Sequence, residues 1–424
     1  MSIPSAVVRY LGSRAVTGPW RIDGNHRKDF LGAVVIPALA ESASLPDTLA
    51  ALADNPPERL AETLVLVVVN HRPDCPAADK ADNLLTLRQL ADGTLERPGL
   101  QLALVDAASP GLELPEKDGG VGLARKIGFD LALSRLDFAR EEPLLIALDA
   151  DTLVRPDYLP ALRNHFRNTA AGAAVLPFRH QPAGDPEHEG AISRYELYLR
   201  AHVLGLELAG SPYAFHTIGS TMACRATSYV RAGGMNRRRA GEDFYFLQQL
   251  AKTDGVARLA GTVVYPSARS STRTPFGTGR TVGALLAGNS DAVLFYPAAC
   301  YRLLGDWLRL VVELVERHGE FVLHRARQLN ATLATFLEQE GFTPVWDRLA
   351  ANHPRPGARL KAFHDWFDGL KTTRLIHHLC AGPYPRCQPG QALPPLLAAA
   401  GMAPAEDPGE QLFLLRRHQT GIDY

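Results

Sequence analysis

The chain has 424 residues, with 45 Lys and Arg against 45 Asp and Glu. This balance gives no overall field that would attract a nucleic acid, so we expect no nucleic-acid partner. Five widely spaced cysteines argue against a secreted disulfide scaffold. No signal-peptide pattern and no run of 18 apolar residues occurs, which predicts a cytoplasmic protein without a transmembrane segment; peripheral contact with a membrane stays open.

From about residue 31 to about residue 266, short apolar runs alternate with helix-like segments, the pattern of an α/β domain around a mostly parallel sheet. We place this domain at residues 31–280, after an N-terminal extension at residues 1–30. Residues 281–380 are predicted to be helical, with a core-facing helix at residues 302–317. A Pro-, Gly- and Ala-rich tail, residues 381–424, is expected to be loosely structured. The predicted strands are residues 32–36, 64–69, 102–105, 144–148, 173–176 and 263–265.

The predicted strand at residues 144–148 ends in two carboxylates, Asp149 and Asp151. Ligands of open α/β sheets bind beyond the carboxyl ends of such strands. Carboxylate oxygens suit Mg²⁺ or Mn²⁺, and Mg²⁺ typically couples one or two carboxylates to substrate phosphates. The pattern therefore predicts a divalent cation, Mn²⁺ or Mg²⁺, and a nucleotide diphosphate at this edge of the sheet. The alternative is an Asp-rich surface turn without a ligand.

Two later segments also carry candidate site residues. A predicted helix at residues 121–136 bears Arg125 and Lys126 near its start, where cations and backbone N–H groups favour a diphosphate. The alternative is an ordinary surface pair on a helix. Glu242 and Asp243 follow a glycine at the start of another helix, where an acidic pair also interacts favourably with the helix dipole.

A basic segment follows the last predicted strand. Residues 269–280 carry Arg269, Arg273 and Arg280 among small and hydroxyl side chains. Such a composition is typical of a loop that closes over a diphosphate, and equally of a basic linker between domains.

These motifs, in this order, resemble those of the family 2 glycosyltransferases, which have the nucleotide-sugar-binding GT-A fold. The resemblance runs from about residue 32 to about residue 265. Two positions depart from the family pattern: Asn70 stands where the family has a base-recognising Asp, and Lys126 stands where it has Asn. The motifs that carry the resemblance are Val34 to Glu41 with Pro37, the strand end at Asn70, Gly122 to Gly128, Asp149-Ala150-Asp151, Gly219-Ser220, Gly233-Gly234 and Glu242-Asp243.

The resemblance implies a GT-A-type Rossmann-like, mixed but mostly parallel sheet flanked by helices, with a helical C-terminal extension. It implies that Asp151 binds the metal directly and that Asp149 contacts the metal or the ribose. Asp243 is the implied general base, and Glu242 orients the acceptor. The implied nucleotide-sugar-binding residues are Pro37, Glu41, Asn70, Arg125, Lys126, Asp149, Gly219, Ser220 and Arg273.

The implied activity is that of a metal-dependent hexosyltransferase that moves a sugar from a nucleoside diphosphate sugar to an acceptor hydroxyl with inversion. The processive synthases of the family carry Gln-x-x-Arg-Trp after the acidic dyad, and none follows here, so a single transfer per encounter is expected. The acceptor, whether saccharide, lipid-linked or small molecule, stays open. Two alternatives also stay open: a retaining GT-A transferase that makes a small-molecule glycoside, and an inactive nucleotide-binding scaffold.

Overall fold

The computed structural model describes residues 3–270, 277–403 and 405–421. The chain forms two compact units. Of the described residues, the first comprises 3–184, 217–270, 277–280 and 420–421, and the second comprises 185–216, 281–403 and 405–419. Within the described residues every strand belongs to the first unit.

Each of the six predicted strands is present, with its ends shifted by at most two residues. The strands in the described part of the chain are β1 (Asp23–Gly24), β2 (Gly32–Ala38), β3 (Thr63–Asn70), β4 (Gln101–Ala107), β5 (Leu144–Ala147), β6 (Leu153–Val154), β7 (Ala173–Val175), β8 (Met222–Arg225), β9 (Val256–Arg258) and β10 (Val264–Tyr265). Eight of them form one sheet in the order β1-β4-β3-β2-β5-β8-β7-β9, and β6 pairs with β10 in a separate ribbon.

The central strands β4, β3, β2 and β5 are parallel, and β8 is antiparallel to its neighbours β5 and β7. Every residue of β2 and β3 is buried, because helices cover both faces of a parallel sheet and unbroken apolar runs satisfy both. The chain moves from β2 to β3 and β4 on one side and later reaches β5 on the other. The topological switch point of the sheet therefore lies between β2 and β5. These findings confirm the predicted mixed α/β fold class.

Helices account for most of the remaining chain. They are α1 (Ser5–Ser13), α2 (Leu45–Ala53), α3 (Pro57–Ala61), α4 (Ala77–Ala91), α5 (Val121–Ala132), α6 (Tyr158–Asn168), α7 (Pro186–Leu208), α8 (Ala226–Arg231), α9 (Glu242–Thr253), α10 (Thr278–Leu286), α11 (Ala298–Glu313), α12 (Gly319–Leu329), α13 (Ala331–Gln339), α14 (Phe342–Asn352), α15 (Pro356–Trp366), α16 (Gly369–Cys380), α17 (Pro389–Ala399) and α18 (Pro408–Thr420).

Helix α5 packs directly on the central strands. A Cβ atom at Gly128 would overlap Val35 of β2 and would come 3.1 Å from Val68 Cγ2 of β3. The glycine therefore permits α5 to lie close to the sheet, and this close packing sets the distance between the sheet and the neighbouring residues of α5.

The second unit is helical, as predicted for residues 281–380, and its core is aromatic. Trp307 of α11 is fully buried and packs edge-on against Phe342 and Phe363. The core-facing helix expected at residues 302–317 is α11, which begins and ends four residues earlier. No described helix has both the length and the apolar content needed to cross a membrane.

Two segments of this unit differ from the sequence expectations. Helix α7 falls within residues 31–280, the span predicted for the α/β domain, yet it belongs to the helical unit, where it buries Leu197 and Leu204 in that core. The tail expected to be loose contains α17 and α18. Helix α17 forms because Pro389 suits a first helical turn and its leucines are buried.

Candidate functional site

The candidate site lies at the switch point of the sheet. Glu41 follows β2, and Asp149 and Asp151 follow β5, and these two strands are hydrogen-bonded neighbours. Parallel strands bring their carboxyl ends to one edge of the sheet, so these carboxylates lie at the same edge although about a hundred residues separate Glu41 from the aspartates.

Polar side chains from distant segments hold the loop that carries the two aspartates. The Thr48 hydroxyl donates to the Ala150 carbonyl at 2.9 Å. The Gln181 amide donates to the carbonyls of Asp151 at 2.8 Å and Tyr265 at 2.7 Å. Sequence reasoning missed Thr48 and Gln181, because a single polar residue in a helix or loop carries no pattern that reveals its tertiary partner.

Arg125 joins the aspartate pair to the acidic dyad. Its side chain is only 2% exposed; Nη1 donates to Glu242 Oε1 and Nη2 donates to Asp149 Oδ1. A buried guanidinium needs such partners, since an unpaired charge in a protein interior is strongly unfavourable. One planar side chain thereby fixes the carboxylates after β5 next to the start of α9.

Glycines provide the space that this bridge requires. A Cβ at Gly219 would overlap Arg125 Nη2, so a larger residue there would displace the guanidinium. A Cβ at Gly122 would overlap the Arg238 carbonyl and would lie 3.0 Å from Glu242 Cβ. These two glycines therefore let α5 lie close to the segment that contains Gly219 and to the segment from Arg238 to Glu242.

The dyad has an environment suited to proton transfer. Burial, and to a smaller extent the nearby Glu242 charge, raise the pKa of Asp243 to about 7 against the lowering effect of Arg125. Burial also raises the pKa of Glu242, against the lowering effect of Arg125. Asp243 is surrounded by protein atoms on most sides, but part of its surface is exposed to solvent. A carboxylate that titrates near neutrality can accept a proton from a bound hydroxyl.

A second arginine engages the metal-side carboxylates. Arg269 Nη2 lies 2.8 Å from Asp151 Oδ2 and also donates to Glu41 Oε1, and Nη1 lies 3.2 Å from the Ser44 hydroxyl. Of the basic segment predicted to contact a diphosphate, Arg269 thus reaches the site. Arg273 lies outside the described residues.

Other expected nucleotide-binding residues make contacts within the protein. Asn70, buried at the end of β3, donates to the carbonyls of Ala38 at 3.2 Å and Val68 at 3.0 Å. Pro37 is buried within β2. Ser220 is fully buried, and its hydroxyl has no hydrogen-bond partner among the described residues. These three remain predictions as ligand contacts.

Lys126 does not join the group around Arg125. Its ammonium lies 2.9 Å from Asp130 Oδ2 and donates to the Tyr10 hydroxyl at 2.8 Å. All three side chains are buried. The adjacent residues of α5 therefore face different partners: Arg125 contacts the site, and Lys126 contacts the N-terminal helix.

The aspartate pair fits a divalent cation that is shared with a ligand. The side chains of Asp149 and Asp151 are 34% and 22% exposed, so their oxygens are accessible. In the part of the chain that the structure describes, no cluster of three or more His, Cys, Asp or Glu side chains could hold a metal ion. Two carboxylates suffice for Mg²⁺ when phosphate oxygens and water complete the coordination. The donor set thus fits Mg²⁺ or Mn²⁺ bound together with a diphosphate.

Comparison with known proteins gives only a distant likeness. No protein-family model and no curated protein sequence matches this chain. One similar solved structure is S. aureus TarS 1-349 in complex with UDP-GlcNAc, at 14% identity, covering 93% of each chain, with a TM-score of 0.39. Another is a mannosyltransferase from Pyrobaculum calidifontis in complex with GDP-Man and Mn²⁺, at 16% identity, covering 89% of this chain and 94% of that one, with a TM-score of 0.39. At these TM-scores the likeness assigns neither a family nor an activity.

Proposed function

We propose that this protein is a non-processive, metal-dependent glycosyltransferase of the GT-A type that transfers a hexose from a nucleoside diphosphate sugar to an acceptor hydroxyl. The observation that supports this most strongly is the Arg125 bridge, which puts Asp149 and Glu242 in one site. The aspartate pair and the dyad are the two parts that such a transfer requires, and their order in the sequence resembles that of family 2 glycosyltransferases.

On the donor side, Asp149 and Asp151 are the proposed metal ligands. When bound, Mg²⁺ or Mn²⁺ stabilises the negative charge that develops on the leaving diphosphate. Arg125 fixes the Asp149 carboxylate through one oxygen. Thr48 and Gln181 hold the backbone carbonyls of Ala150 and Asp151, so the loop that carries the pair is preorganised before the donor binds.

On the acceptor side, Asp243 is the proposed base. It takes the proton of the acceptor hydroxyl while the hydroxyl oxygen forms a bond to the anomeric carbon. The bond from that carbon to the diphosphate breaks on the opposite face, so the configuration inverts and the nucleoside diphosphate leaves. Glu242 is held by Arg125 and orients the acceptor. Proton transfer by a positioned carboxylate contributes roughly 10²–10⁴-fold to such a rate.

The test is a donor screen with UDP-, GDP- and dTDP-hexoses, with and without Mn²⁺. We expect one donor to stabilise the protein against thermal unfolding only with Mn²⁺, and to release its nucleoside diphosphate when an acceptor is supplied. Asp151→Ala should abolish both effects. Asp92→Ala, which removes an exposed carboxylate at the end of α4, is the matched control and should change neither.

Two results would redirect the proposal. If the Asp243→Asn variant turned over at a near-normal rate, Asp243 would not be the general base, and a retaining transfer would be favoured. Binding of a nucleotide without any turnover, across saccharide, lipid-linked and small-molecule acceptors, would favour a nucleotide-binding scaffold.

A further inference from the structure

Arg269 lies between two carboxylates that belong to the proposed metal and nucleotide site. Its guanidinium contacts Asp151 at 2.8 Å, Glu41, and the Ser44 hydroxyl at 3.2 Å. Glu41 is buried, and Asp151 is about one-fifth exposed. The arginine thus places one positive charge between two carboxylates in a partly enclosed space.

A divalent cation bound to Asp151 would stand beside this guanidinium, and two positive charges at that separation repel. A cation held by Asp151 would therefore compete with Arg269 for this carboxylate, and that competition would weaken cation binding when nothing else is present. A diphosphate changes this balance. It offers Arg269 a bidentate anionic partner in exchange for Asp151, because a guanidinium matches phosphate and carboxylate geometry equally well.

We infer that Arg269 is an internal counter-ion that makes binding of the divalent cation and of the nucleoside diphosphate interdependent. It opposes the cation in the nucleotide-free site and binds the diphosphate once the cation has taken Asp151. The inference rests on the proposed function, since it assumes that Asp151 is a metal ligand. It adds that one residue has opposite effects on cation affinity before and after the nucleotide binds.

Thermodynamic linkage gives the inference a quantitative form. If the nucleoside diphosphate raises cation affinity by some factor, the cation must raise nucleotide affinity by the same factor. Couplings between sites typically amount to roughly 5–150-fold, and we expect a factor of at least about ten here. Removing Arg269 should lower that factor, because it removes both the repulsion in one state and the attraction in the other.

The experiment is a Mn²⁺ titration followed by the electron paramagnetic resonance signal of free Mn²⁺, with and without UDP or GDP. It compares the wild type with Arg269→Gln and Arg269→Lys. Arg167→Gln is the matched control, since Arg167 makes a similar ion pair with Glu141 at 3.1 Å on the exposed surface. Thermal unfolding and circular dichroism establish that each variant is folded.

We expect Arg269→Gln to bind Mn²⁺ about tenfold more tightly than the wild type without nucleotide, and to lose most of the tenfold enhancement that the nucleotide gives. Arg269→Lys should fall between the wild type and Arg269→Gln, because an ammonium keeps the positive charge but lacks the planar two-nitrogen fork of the guanidinium. The Lys variant decides the matter if the Gln variant does not fold. Arg167→Gln should match the wild type throughout.

Two contrary results are distinguishable. If Arg269→Gln bound Mn²⁺ and the nucleotide with the same affinities as the wild type, this inference alone would be overturned. Absence of Mn²⁺ binding to the wild type, with and without either nucleotide, would overturn the proposed metal site and this inference with it.

Discussion

Asp243 is the residue on which the proposed chemistry most depends. Asp243→Asn keeps the shape of the side chain but cannot accept the acceptor proton. We expect kcat to fall by roughly 10²–10⁴-fold with little change in donor affinity, because the donor side contacts other residues. Steady-state kinetics together with donor binding by calorimetry would measure both effects. A variant that loses donor affinity in proportion to rate would argue for a structural role instead.

The pH dependence of transfer follows from the environment of the same carboxyl group. Its pKa is raised to about 7 by burial and by Glu242, and only the ionised form can act as a base. The rate should therefore rise as pH increases through about 7 and level off above it. The measurement is kcat/KM from pH 5 to pH 9. A rate that falls as the pH rises over this range would assign the essential group to an acid.

Gly219 is predicted to be important for folding stability, because it leaves the space that the Arg125 guanidinium occupies. Gly219→Ala puts a methyl group where the guanidinium lies, and overpacking of this kind costs about 1–3 kcal/mol of folding free energy. Gly12→Ala in α1 is the control, because a Cβ at Gly12 would meet nothing within 4 Å beyond its chain neighbours and the backbone of its own helix. Denaturant unfolding compares the two variants. If Gly219→Ala and Gly12→Ala had the same free energy of unfolding, Arg125 could move aside without destabilising the protein.

The site residues differ in how far the sequence alone could predict them. Asp149, Asp151, Glu242 and Asp243 lie in motifs whose spacing and position after a strand or before a helix are informative. Thr48 and Gln181 contribute through tertiary hydrogen bonds that join distant segments, and no local pattern encodes such a pairing. The consecutive residues Arg125 and Lys126 looked equivalent in sequence, yet the helix points them to different partners, because successive helical residues lie about 100° apart.

At the scale of elements, α5 connects the candidate site to the N-terminal helix. Arg125 on α5 binds the site carboxylates, while Asp130 on the same helix accepts hydrogen bonds from Tyr10 at 2.8 Å and Tyr229 at 2.6 Å and from the Val16 amide at 2.7 Å. The predicted N-terminal extension, residues 1–30, therefore helps to fix α5 on the sheet.

This contact predicts the effect of a conservative change in α1. Tyr10→Phe removes the hydroxyl that donates to Asp130 and accepts from Lys126 at 2.8 Å. Leaving buried charged groups short of a partner costs about 1–3 kcal/mol of unfolding free energy. Val8→Ala, at a position 55% exposed on the same helix, should change stability by less than about 0.5 kcal/mol. Tyr10→Phe with wild-type stability would show that the N-terminal helix does not support α5.

Long elements were predicted better than short ones. β2, β3 and β5 are continuous apolar runs and were predicted to within two residues. β1, β6 and β9 were not predicted, because none of these strands contains a run of three apolar residues. The tail was expected to be loose from its Pro and Gly content, but Pro at a helix start is compatible with a helix, and burial of Leu393 and Leu396 stabilises α17.

At the scale of the whole molecule, alternating strand and helix patterns predicted the fold class, while the change to long helical segments predicted a helical second unit. The sequence did not predict that α7, in the middle of the α/β span, belongs to that unit. Its membership depends on which apolar residues it buries in a distant core, and a single sequence does not contain that information.

The central claim is that the aspartate pair and the acidic dyad form one metal-dependent site. Diffraction at the manganese edge from crystals grown with Mn²⁺ and a nucleoside diphosphate tests it most directly. We predict one anomalous peak about 2.0–2.6 Å from an Asp151 carboxylate oxygen, with the diphosphate bound to the same ion and facing the dyad across Arg125. Mn²⁺ and nucleotide bound elsewhere, with no peak beside Asp151, would contradict the account.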